Sequence, residues 1–314
     1  MNCIVSKDNK YFKELKKLIA IEGIKKSGKV IIAGKKQVRE AANALASLCD
    51  SLIVYDGYVE DDQDLQSILA AFSSQDSIIT FKKQLYNELD SFNTNAPLLV
   101  LNIPSLPEWD YSLDQGCSLL IPFQDPVNVG AAIRSAAGFG VRKIIMLKEA
   151  AHPFHPRSIR ASAGAVFRFI HPHPAPLQSS QEVSATRERE LFAPSSGGSD
   201  PYFSSPAGRR LRGGETENNC RKMGLCRGPS INELETICDQ RKLNIIALDM
   251  EGTPIESFHF PAQFILLPGL EGQGIPEALK ASSISIPISG AIESLNTAIA
   301  ASIALFAWSS QTNR

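Results

Sequence analysis

Residues 125–140, DPVNVGAAIRSAAGFG, contain the strongest candidate for a catalytic cation in the chain. Their apolar residues recur at helical spacing, which predicts a helix that begins near Asn128, a favoured N-cap residue. Gly130 and Arg134 are four positions apart and therefore share one face of that helix. Because glycine has no side chain, we expect a large ligand to approach Arg134 closely at this face. A planar guanidinium is suited to binding phosphate and to stabilising negative charge.

A glycine-rich loop follows a predicted buried strand in FILLPGLEGQGIP, residues 264–276. The loop has three glycines and one carboxylate, Glu271. Loops at the carboxyl ends of parallel strands commonly accommodate nucleotide-like ligands. The spacing is neither that of a dinucleotide-binding G-x-G-x-x-G turn nor that of a P-loop, so the pattern disfavours nucleotide hydrolysis.

A second connection of this kind lies in ISIPISGAIESLNTAIAASIALFAW, residues 284–308. A short strand is predicted to end at Pro287, and a loop through Gly290 follows it. Ser294 is predicted to cap the next helix, with Asn296 in its first turn. That helix is expected to pack through Leu295, Ile299 and Phe306.

Taken in order, the elements N-x-G-x-x-x-R, G-x-E-x-x-G-I and I-P-I-x-G-x-x-x-S-L-N resemble the signature of the SpoU (TrmH-like) family of RNA ribose methyltransferases, in the SPOUT superfamily. The resemblance covers residues 115–174 and 231–310 strongly. It extends to residues 5–103, which resemble the substrate-binding domain found ahead of the catalytic domain in many members. The resemblance implies a parallel-sheet α/β knot at 115–314, whose C-terminal segment threads through a preceding loop. It also implies a smaller N-terminal α/β domain at 1–106 that binds the RNA substrate.

The resemblance further implies S-adenosylmethionine as the methyl donor, bound by the knotted loops. Gly269, Ile286 and Leu295 would line its pocket through backbone contacts and apolar packing. Members of the family work as homodimers in which the arginine of one subunit reaches toward the cofactor of the other. Arg160, in the segment RSIRASAG, is a predicted contact to RNA phosphate. No metal is implied.

Methyl transfer to a ribose 2′-hydroxyl is an in-line displacement by a poorly acidic alcohol, so it requires alignment and stabilisation of negative charge on the oxygen. Arg134 is predicted to provide that charge stabilisation and to clamp the adjacent phosphate, because a guanidinium stays protonated at any ordinary pH. Four further residues are predicted to position the arginine and the ribose by hydrogen bonds: Asn128, Glu271, Ser294 and Asn296.

Two other functions stay open at this stage. One is a knotted enzyme that methylates an RNA base, which the N-x-G-x-x-x-R and S-L-N elements disfavour. The other is a catalytically inert RNA-binding protein of the same fold, which the intact set of polar residues disfavours. Among RNA targets, ribosomal RNA is favoured over tRNA, because an additional N-terminal domain suits a large folded substrate.

The elements that must position these residues form two blocks of alternating strands and helices, which predicts an α/β fold class. In the first block, strands are predicted at Val30–Ile32, Leu52–Val54, Ile78–Thr80 and Leu98–Leu101. In the second block, near-continuous apolar runs predict parallel strands buried on both faces. They lie at Ser118–Pro122, Lys143–Leu147, Val166–Ile170, Asn244–Leu248, Gln263–Leu267 and Ser283–Pro287.

Residues 176–229 interrupt the second block. They contain eight Ser, seven Gly and five Pro but few large apolar side chains, and none of these recurs with a period. A structureless loop of this length is unusual inside a compact domain. The composition therefore predicts a disordered insertion.

Charge is divided unevenly along the first third of the chain. Residues 1–43 hold eleven Lys or Arg against four Asp or Glu, whereas residues 44–108 hold two against ten. A helix near the start has Lys13, Lys16 and Lys17 on its polar face. These lysines are predicted to bind RNA, although a merely solvated lysine face is an equally good interpretation of charge alone.

Composition and targeting signals indicate an ordinary soluble protein. Of the 314 residues, 43% are apolar and 21% charged, and the net charge is −1. The six cysteines include no C-x-x-C pair, so zinc-binding and disulfide frameworks are disfavoured and reduced thiols in a cytoplasmic protein are expected. The start of the chain has no apolar core of signal-peptide length. The most apolar helix candidate, 297–308, is shorter than the roughly 20 residues that span a bilayer.

Overall fold

The computed structural model describes residues 3–170, 224–270, 274–290 and 292–312, which contain two sheets. The first sheet has the order β1-β4-β2-β3, with β1 Lys29–Ile32, β2 Cys49–Tyr55, β3 Ile78–Phe81 and β4 Leu98–Asn102. β4 runs antiparallel to β1 and β2, whereas β2 and β3 are parallel. The helices of this part are α1 Lys10–Lys17, α2 Ile21–Ser27, α3 Lys35–Ala44, α4 Gln63–Ser74 and α5 Lys83–Leu89. All four predicted strands are confirmed.

The second sheet has six strands, all parallel, in the order β10-β8-β9-β5-β6-β7. They are β5 Gly116–Ile121, β6 Lys143–Met146, β7 Gly224–Arg227, β8 Ile245–Pro254, β9 Gln263–Leu267 and β10 Ser283–Ser285. The α-helices are α6 Pro126–Gly138, α7 Pro156–Ala161, α8 Ile231–Arg241 and α9 Thr297–Thr312. This is the predicted parallel-sheet α/β class, and the carboxyl ends of its strands share one edge.

One cluster of buried side chains contains residues of both sheets and joins the two blocks, among them Ile32 of β1 and Leu119 of β5. Phe167 and Phe169 belong to the same cluster and lie in a 3-10 helix, Ala165–Phe169. The predicted strand Val166–Ile170 is therefore wrong. A short apolar run does not distinguish a strand from a buried helical turn, and Gly164, at φ +86°, turns the chain just before it.

The predicted C-terminal bound of the insertion, residue 229, is wrong. Gly224–Arg227 forms β7, which pairs in parallel with β6. Leu225 and Cys226 of that strand are buried. The strand is short and bounded by glycines, so its four residues carry no periodicity that separates them from a loop. The rest of the predicted insertion, up to residue 223, lies outside the described residues.

The uneven charge of the first block is largely balanced by ion pairs within the fold. Six pairs join a lysine or arginine before residue 43 to a carboxylate after it: Lys7–Glu88, Lys16–Glu88, Lys29–Asp50, Lys35–Glu60, Arg39–Asp62 and Arg39–Asp64. Such pairs across a mostly exposed surface are individually weak, about 0–1 kcal/mol. The asymmetry along the sequence thus becomes charge complementarity between segments that are close in space.

Helix α9, the longest of the described helices, packs differently from the prediction. Ile299 and Phe306 are 54% and 59% exposed, so the prediction that they pack inward is wrong. The buried positions are Ala298, Ala301, Ala304, Leu305 and Trp308. Small alanines let the helix backbone lie close to its neighbours, which an analysis weighted toward large apolar side chains misses. Within the described ranges, no helix has both the length and the apolar character needed to cross a membrane.

Candidate active site

A cavity of about 280 Å³ lies where the middle of β8 and the loops after β9 and β10 meet the amino end of α9. The three residues predicted to bind a cofactor, Gly269, Ile286 and Leu295, all line it, and so does Ser294. Most of the remaining wall is aliphatic. Concave, mainly apolar pockets with a few placed polar groups are the usual form of cofactor sites.

The first wall of the cavity comes from an interruption in the pairing of β8 with β10. Ser283 pairs with Ala247, but the next residue of β10, Ile284, pairs with Thr253. Residues 248–252 therefore bulge out of the ladder between these two points. Irregularities of this kind are common next to active sites, where they change the direction of side chains.

Gly252 makes that interruption possible. A Cβ atom at this position would lie 2.6 Å from the backbone nitrogen of Ile284, closer than real contacts allow. The bulge places Leu248, Asp249 and Met250 at the cavity. These three residues were not predicted from the sequence, because a strand that continues past a bulge has the same apolar pattern as a shorter strand followed by a turn.

Asp249 carries the only charge among the described residues that line the cavity. Its carboxylate accepts a hydrogen bond from the Glu251 N–H at 3.0 Å and forms an ion pair with Lys280 at 3.1 Å. The Glu251 N–H, followed by the Lys280 ammonium, holds the pKa of Asp249 below its usual value. This side chain is therefore a fixed carboxylate at the cavity wall.

The amino end of α9 is capped by Asn296 rather than by Ser294. The Asn296 side-chain oxygen accepts hydrogen bonds from the N–H groups of Ala298 and Ile299, at 3.0 and 3.2 Å. The Asn296 side-chain nitrogen donates to the Asn128 side-chain oxygen at 3.0 Å. The prediction that Ser294 caps the helix is wrong. The structure instead joins the two predicted asparagines, although they are far apart in sequence.

Helices α6 and α9 pack side by side and run in the same direction. Three contacts occur in the same order along both helices: Asn128–Asn296, Ser135–Ser302 and Phe139–Phe306. The hydroxyl oxygens of Ser135 and Ser302 are 2.7 Å apart. This packing fixes the α6 helix, which carries Arg134, against the helix that closes the cavity.

Helix α6 begins earlier than predicted. Its N-cap is Asp125, whose carboxylate accepts a hydrogen bond from the Val127 N–H at 3.0 Å, and Pro126 occupies the first turn. The predicted start near Asn128 is wrong, because an Asp-Pro pair is a stronger N-terminal signal than a following asparagine. Arg134 is exposed and makes no hydrogen bond or ion pair among the described residues, so its donors are available to a ligand.

Gly130 allows two helices to pack closely rather than allowing a ligand to approach Arg134. It is buried, and a Cβ atom built there would collide with the Ser158 carbonyl oxygen and lie 2.7 Å from the Ala161 Cβ. The neighbour that this glycine admits is therefore helix α7, not a ligand beside Arg134. The prediction from the four-residue spacing is wrong on this point, since two residues of one helical face can still contact different partners.

Arg160 lies where α7 meets the first block. Its guanidinium carbon is 4.6 Å from the centre of the Phe92 ring, in a cation–π arrangement, and the arginine is exposed. Phe92 also borders a small crevice with Pro156 and Leu89. The side chain of Arg160, which is predicted to contact phosphate, therefore packs on an aromatic ring that was not singled out from the sequence.

The three lysines predicted to bind RNA lie on the exposed face of α1, opposite buried Phe12 and Leu15. Lys13 forms an ion pair with Asp8 at 2.8 Å, and Lys16 forms one with Glu88 at 3.1 Å. Lys17 has no ion-pair partner among the described residues.

Glu271, a predicted positioning residue, lies outside the described residues, as do Gly272 and Gln273. In the described ranges, no group of three or more His, Cys, Asp or Glu side chains could hold a metal ion.

The sequence is 33% identical over 308 residues to ribosomal RNA small subunit methyltransferase G 2 of Syntrophobacter fumaroxidans. That alignment covers 98% of this chain but only 49% of the relative. The chain thus spans about half the length of the curated relative that it matches.

Two solved structures are similar over nearly their whole length. An AdoMet-bound rRNA methyltransferase from Sinorhizobium meliloti has a TM-score of 0.68 at 17% identity, covering 99% of this chain and 98% of that chain. The SpoU methyltransferase AviRb from Streptomyces viridochromogenes, in complex with AdoMet, has a TM-score of 0.66 at 20% identity, covering 97% and 98%. At these identities the likeness concerns the fold, and it confirms the predicted fold class.

The family model described as the SpoU rRNA Methylase family matches residues 119–201 and 216–306. These ranges make up more than half of the chain and contain both asparagines of the α6–α9 hydrogen bond, Arg134 and the lining residues of the cavity. The chain therefore belongs to the SpoU rRNA methylase family.

Proposed function

We propose that this protein transfers a methyl group from S-adenosylmethionine to a ribose 2′-hydroxyl of structured RNA, with ribosomal RNA favoured over tRNA. The observation that carries the proposal is the direct hydrogen bond between Asn296 and Asn128. It ties the helix that closes the cavity to the helix that presents Arg134. A ligand pocket and an unpaired cation are thereby held on one rigid support, which is what an aligned group transfer requires.

The cavity fits the proposed methyl donor. Its aliphatic wall suits an adenine ring, and exposed backbone groups around Gly269 and Leu295 can hydrogen-bond to the ring edge. Ser294 and Thr297 add hydroxyl-bearing side chains to that wall, and Asp249 adds a carboxylate, so the wall also offers partners to the polar groups of such a ligand. S-adenosylmethionine, when bound, supplies a methyl group on a positively charged sulfur.

Arg134 is the proposed catalytic residue. Its guanidinium donates hydrogen bonds to the ribose 2′-oxygen, on which negative charge develops, and to the adjacent phosphate. It does not act as a base, because it is protonated at any ordinary pH. As the methyl group moves from sulfur to oxygen, the sulfur leaves as the neutral thioether of S-adenosylhomocysteine and the 2′-hydroxyl proton passes to water. Asn128, Ser294, Asn296 and Glu271 are proposed to orient the arginine and the ribose.

The proposal is tested by combining binding and product analysis. Calorimetry should show S-adenosylmethionine binding to the purified protein. Incubation with labelled donor and ribosomal RNA or tRNA, followed by nuclease digestion and mass spectrometry, should yield a 2′-O-methylated nucleoside from ribosomal RNA. A base-methylated nucleoside would show that the protein methylates an RNA base and not the ribose. Absence of donor binding would favour the inert RNA-binding alternative.

A homodimer is part of the proposal, with the arginine of one subunit near the cofactor of the other. Exposed apolar side chains support the dimer. Ile299 and Phe306 are seven positions apart on α9 and are largely exposed. Val127, at the start of α6, is 45% exposed. An exposed apolar stripe on two packed helices is typical of a self-association surface.

Phe306→Asp is expected to give a folded monomer, because a carboxylate cannot be buried unpaired in an apolar interface. Sedimentation velocity should show the wild-type dimer and the smaller variant. Val59→Asp, at a 79% exposed valine of the first block, is the control and should leave the mass unchanged. A Phe306→Asp protein that keeps the dimer mass would place the interface elsewhere.

Contact to RNA is proposed at two surfaces: the lysines of α1, Lys13, Lys16 and Lys17, and Arg160. Ion pairs at exposed lysines are weak enough for phosphates to replace the carboxylates. Arg160, whose planar guanidinium rests on Phe92, also offers a stacking surface for an unpaired base.

Phe92→Leu is expected to raise KM for RNA about two- to fivefold, because an exposed cation–π contact that holds the Arg160 guanidinium in place contributes about 0.5–1 kcal/mol. S-adenosylmethionine affinity should not change. The matched control is Tyr111→Leu, since Arg241 lies 4.3 Å over that ring in the same arrangement elsewhere in the chain. Equal KM values for both variants and the wild type would show that the Arg160–Phe92 pair is purely structural.

A further inference from the structure

The Asp249 carboxylate lies at the wall of the cavity, in the bulge of β8. Asp249 is the only charged residue among the described residues of that wall, which is otherwise mostly aliphatic. Its side chain is 18% exposed and is held from two sides, by the Glu251 N–H at 3.0 Å and by the Lys280 ammonium at 3.1 Å. The negative charge therefore has a defined position at the wall.

Lys280 compensates this charge from outside the cavity. It is the last residue of the 3-10 helix Glu277–Lys280, and it is not among the residues that line the cavity. Leu279 of the same helix is buried, which anchors the helix in the core. The Lys280 ammonium also contacts the Glu277 carboxylate at 3.2 Å, but that side chain is 91% exposed. Because ion pairs with exposed groups are weak, Asp249 is the principal partner of the lysine.

Methyl transfer changes the charge of the ligand in the cavity. S-adenosylmethionine carries a positive charge on its sulfur, whereas the sulfur of S-adenosylhomocysteine is neutral, and the adenine, ribose and amino-acid groups are the same in both. A fixed negative charge at a mainly aliphatic wall, where water screens less than in bulk solution, stabilises a bound cation but not a neutral group. The cavity wall can therefore distinguish the methyl donor from the product by charge.

We propose that the Asp249 carboxylate favours binding of S-adenosylmethionine over S-adenosylhomocysteine, and that Lys280 sets the size of this preference. The inference rests on the proposed function, because it requires that the cavity binds the methyl donor. The Lys280 ammonium opposes the carboxylate, since its positive charge repels the charged sulfur from outside the cavity. Preference for the charged donor helps the protein to exchange the product for a new donor molecule after each reaction.

Two variants of this ion pair test the proposal, because they should shift the preference in opposite directions. Asp249→Asn keeps the shape of the side chain and an acceptor for the Glu251 N–H, but it removes the charge. Calorimetry should show that the ratio of the Kd for S-adenosylhomocysteine to the Kd for S-adenosylmethionine falls about threefold. Lys280→Gln leaves the carboxylate without its ammonium partner, so the same ratio should rise by about threefold. Glu277→Gln is the matched control, because it removes only the exposed partner of Lys280, and it should leave the ratio unchanged.

Opposite shifts separate an electrostatic role from a structural one. If the ion pair only stabilises the wall, both variants should weaken binding of both ligands and change the ratio in the same direction or not at all. Either of these results would overturn the proposal. If Asp249→Asn does not fold, Lys280→Gln decides alone, and an unchanged or lower ratio would contradict the preference. A wild-type protein that binds neither ligand would instead refute the proposed function itself.

Discussion

Arg134→Ala is expected to lower methyl transfer to RNA about 100- to 1000-fold while leaving the fold and cofactor affinity intact. The side chain is exposed and pairs with no described residue, so its removal costs no packing. The rate decreases because negative charge at the ribose oxygen is no longer stabilised. Removing one hydrogen-bond donor of this kind typically lowers the rate about 100- to 1000-fold. Single-turnover methylation rates and calorimetric Kd values for S-adenosylmethionine measure the two effects separately.

Arg134→Lys should also be slow, because a point charge cannot reproduce the planar, two-pronged contact of a guanidinium. Arg142→Ala is the matched control, since Arg142 precedes β6 at the opposite ends of the strands from the cavity, and it should keep full activity. If Arg134→Ala retains activity within twofold of wild type, the catalytic assignment is wrong.

Gly130→Ala is expected to destabilise the protein by about 3 kcal/mol, although alanine is ordinarily the better helix residue. The new methyl group would meet the backbone of α7 at Ser158, and a backbone atom cannot rotate away as a side chain can. For a protein of this size the loss corresponds to a decrease in Tm of about 6–12 °C. Differential scanning calorimetry of the two proteins measures the change.

Gly138→Ala is the control on the same helix, where nothing lies within 4 Å of a new Cβ atom. It should leave Tm unchanged or raise it slightly. Equal Tm values for both variants would mean that α7 can move away from α6. The close packing of these helices would then contribute little to stability.

The second block could be predicted from sequence where strands are long apolar runs, as for β5 and β9. Prediction failed where the decisive interactions are not local. Gly224–Arg227 became a strand because β6 offers it a partner, and Ala298 and Ala301 became core because α9 lies close to its neighbours. Neither the pairing of β7 with β6 nor the burial of these alanines produces a periodic pattern of large apolar residues in the sequence.

For the site, the motifs identified residues that the fold brings together, including Asn128 with Asn296 and Gly269 with Leu295. The motifs did not show which group each residue contacts. Gly130 contacts a helix, and the bulge that places Asp249 at the cavity depends on pairing with a strand about thirty residues later in the chain. The spacing of residues in a motif predicts which of them share a face of one helix or strand. The roles of Gly130 and Asp249 depend instead on contacts with a second helix or strand.

The hydrogen bond between Asn128 and Asn296 joins residues 168 positions apart, which has a consequence for how the protein acquires its activity. Folding is slower when many contacts join residues that are far apart in sequence, so we expect the pocket and the arginine to come together after more local pairing, such as that of β5 with β6. The entropy of loop closure grows only with the logarithm of loop length, so doubling the length of chain between the two asparagines would cost only about 0.6 kcal/mol. Evolution could therefore lengthen this connection at little thermodynamic cost, because the segment between the two asparagines affects the speed of assembly far more than its equilibrium.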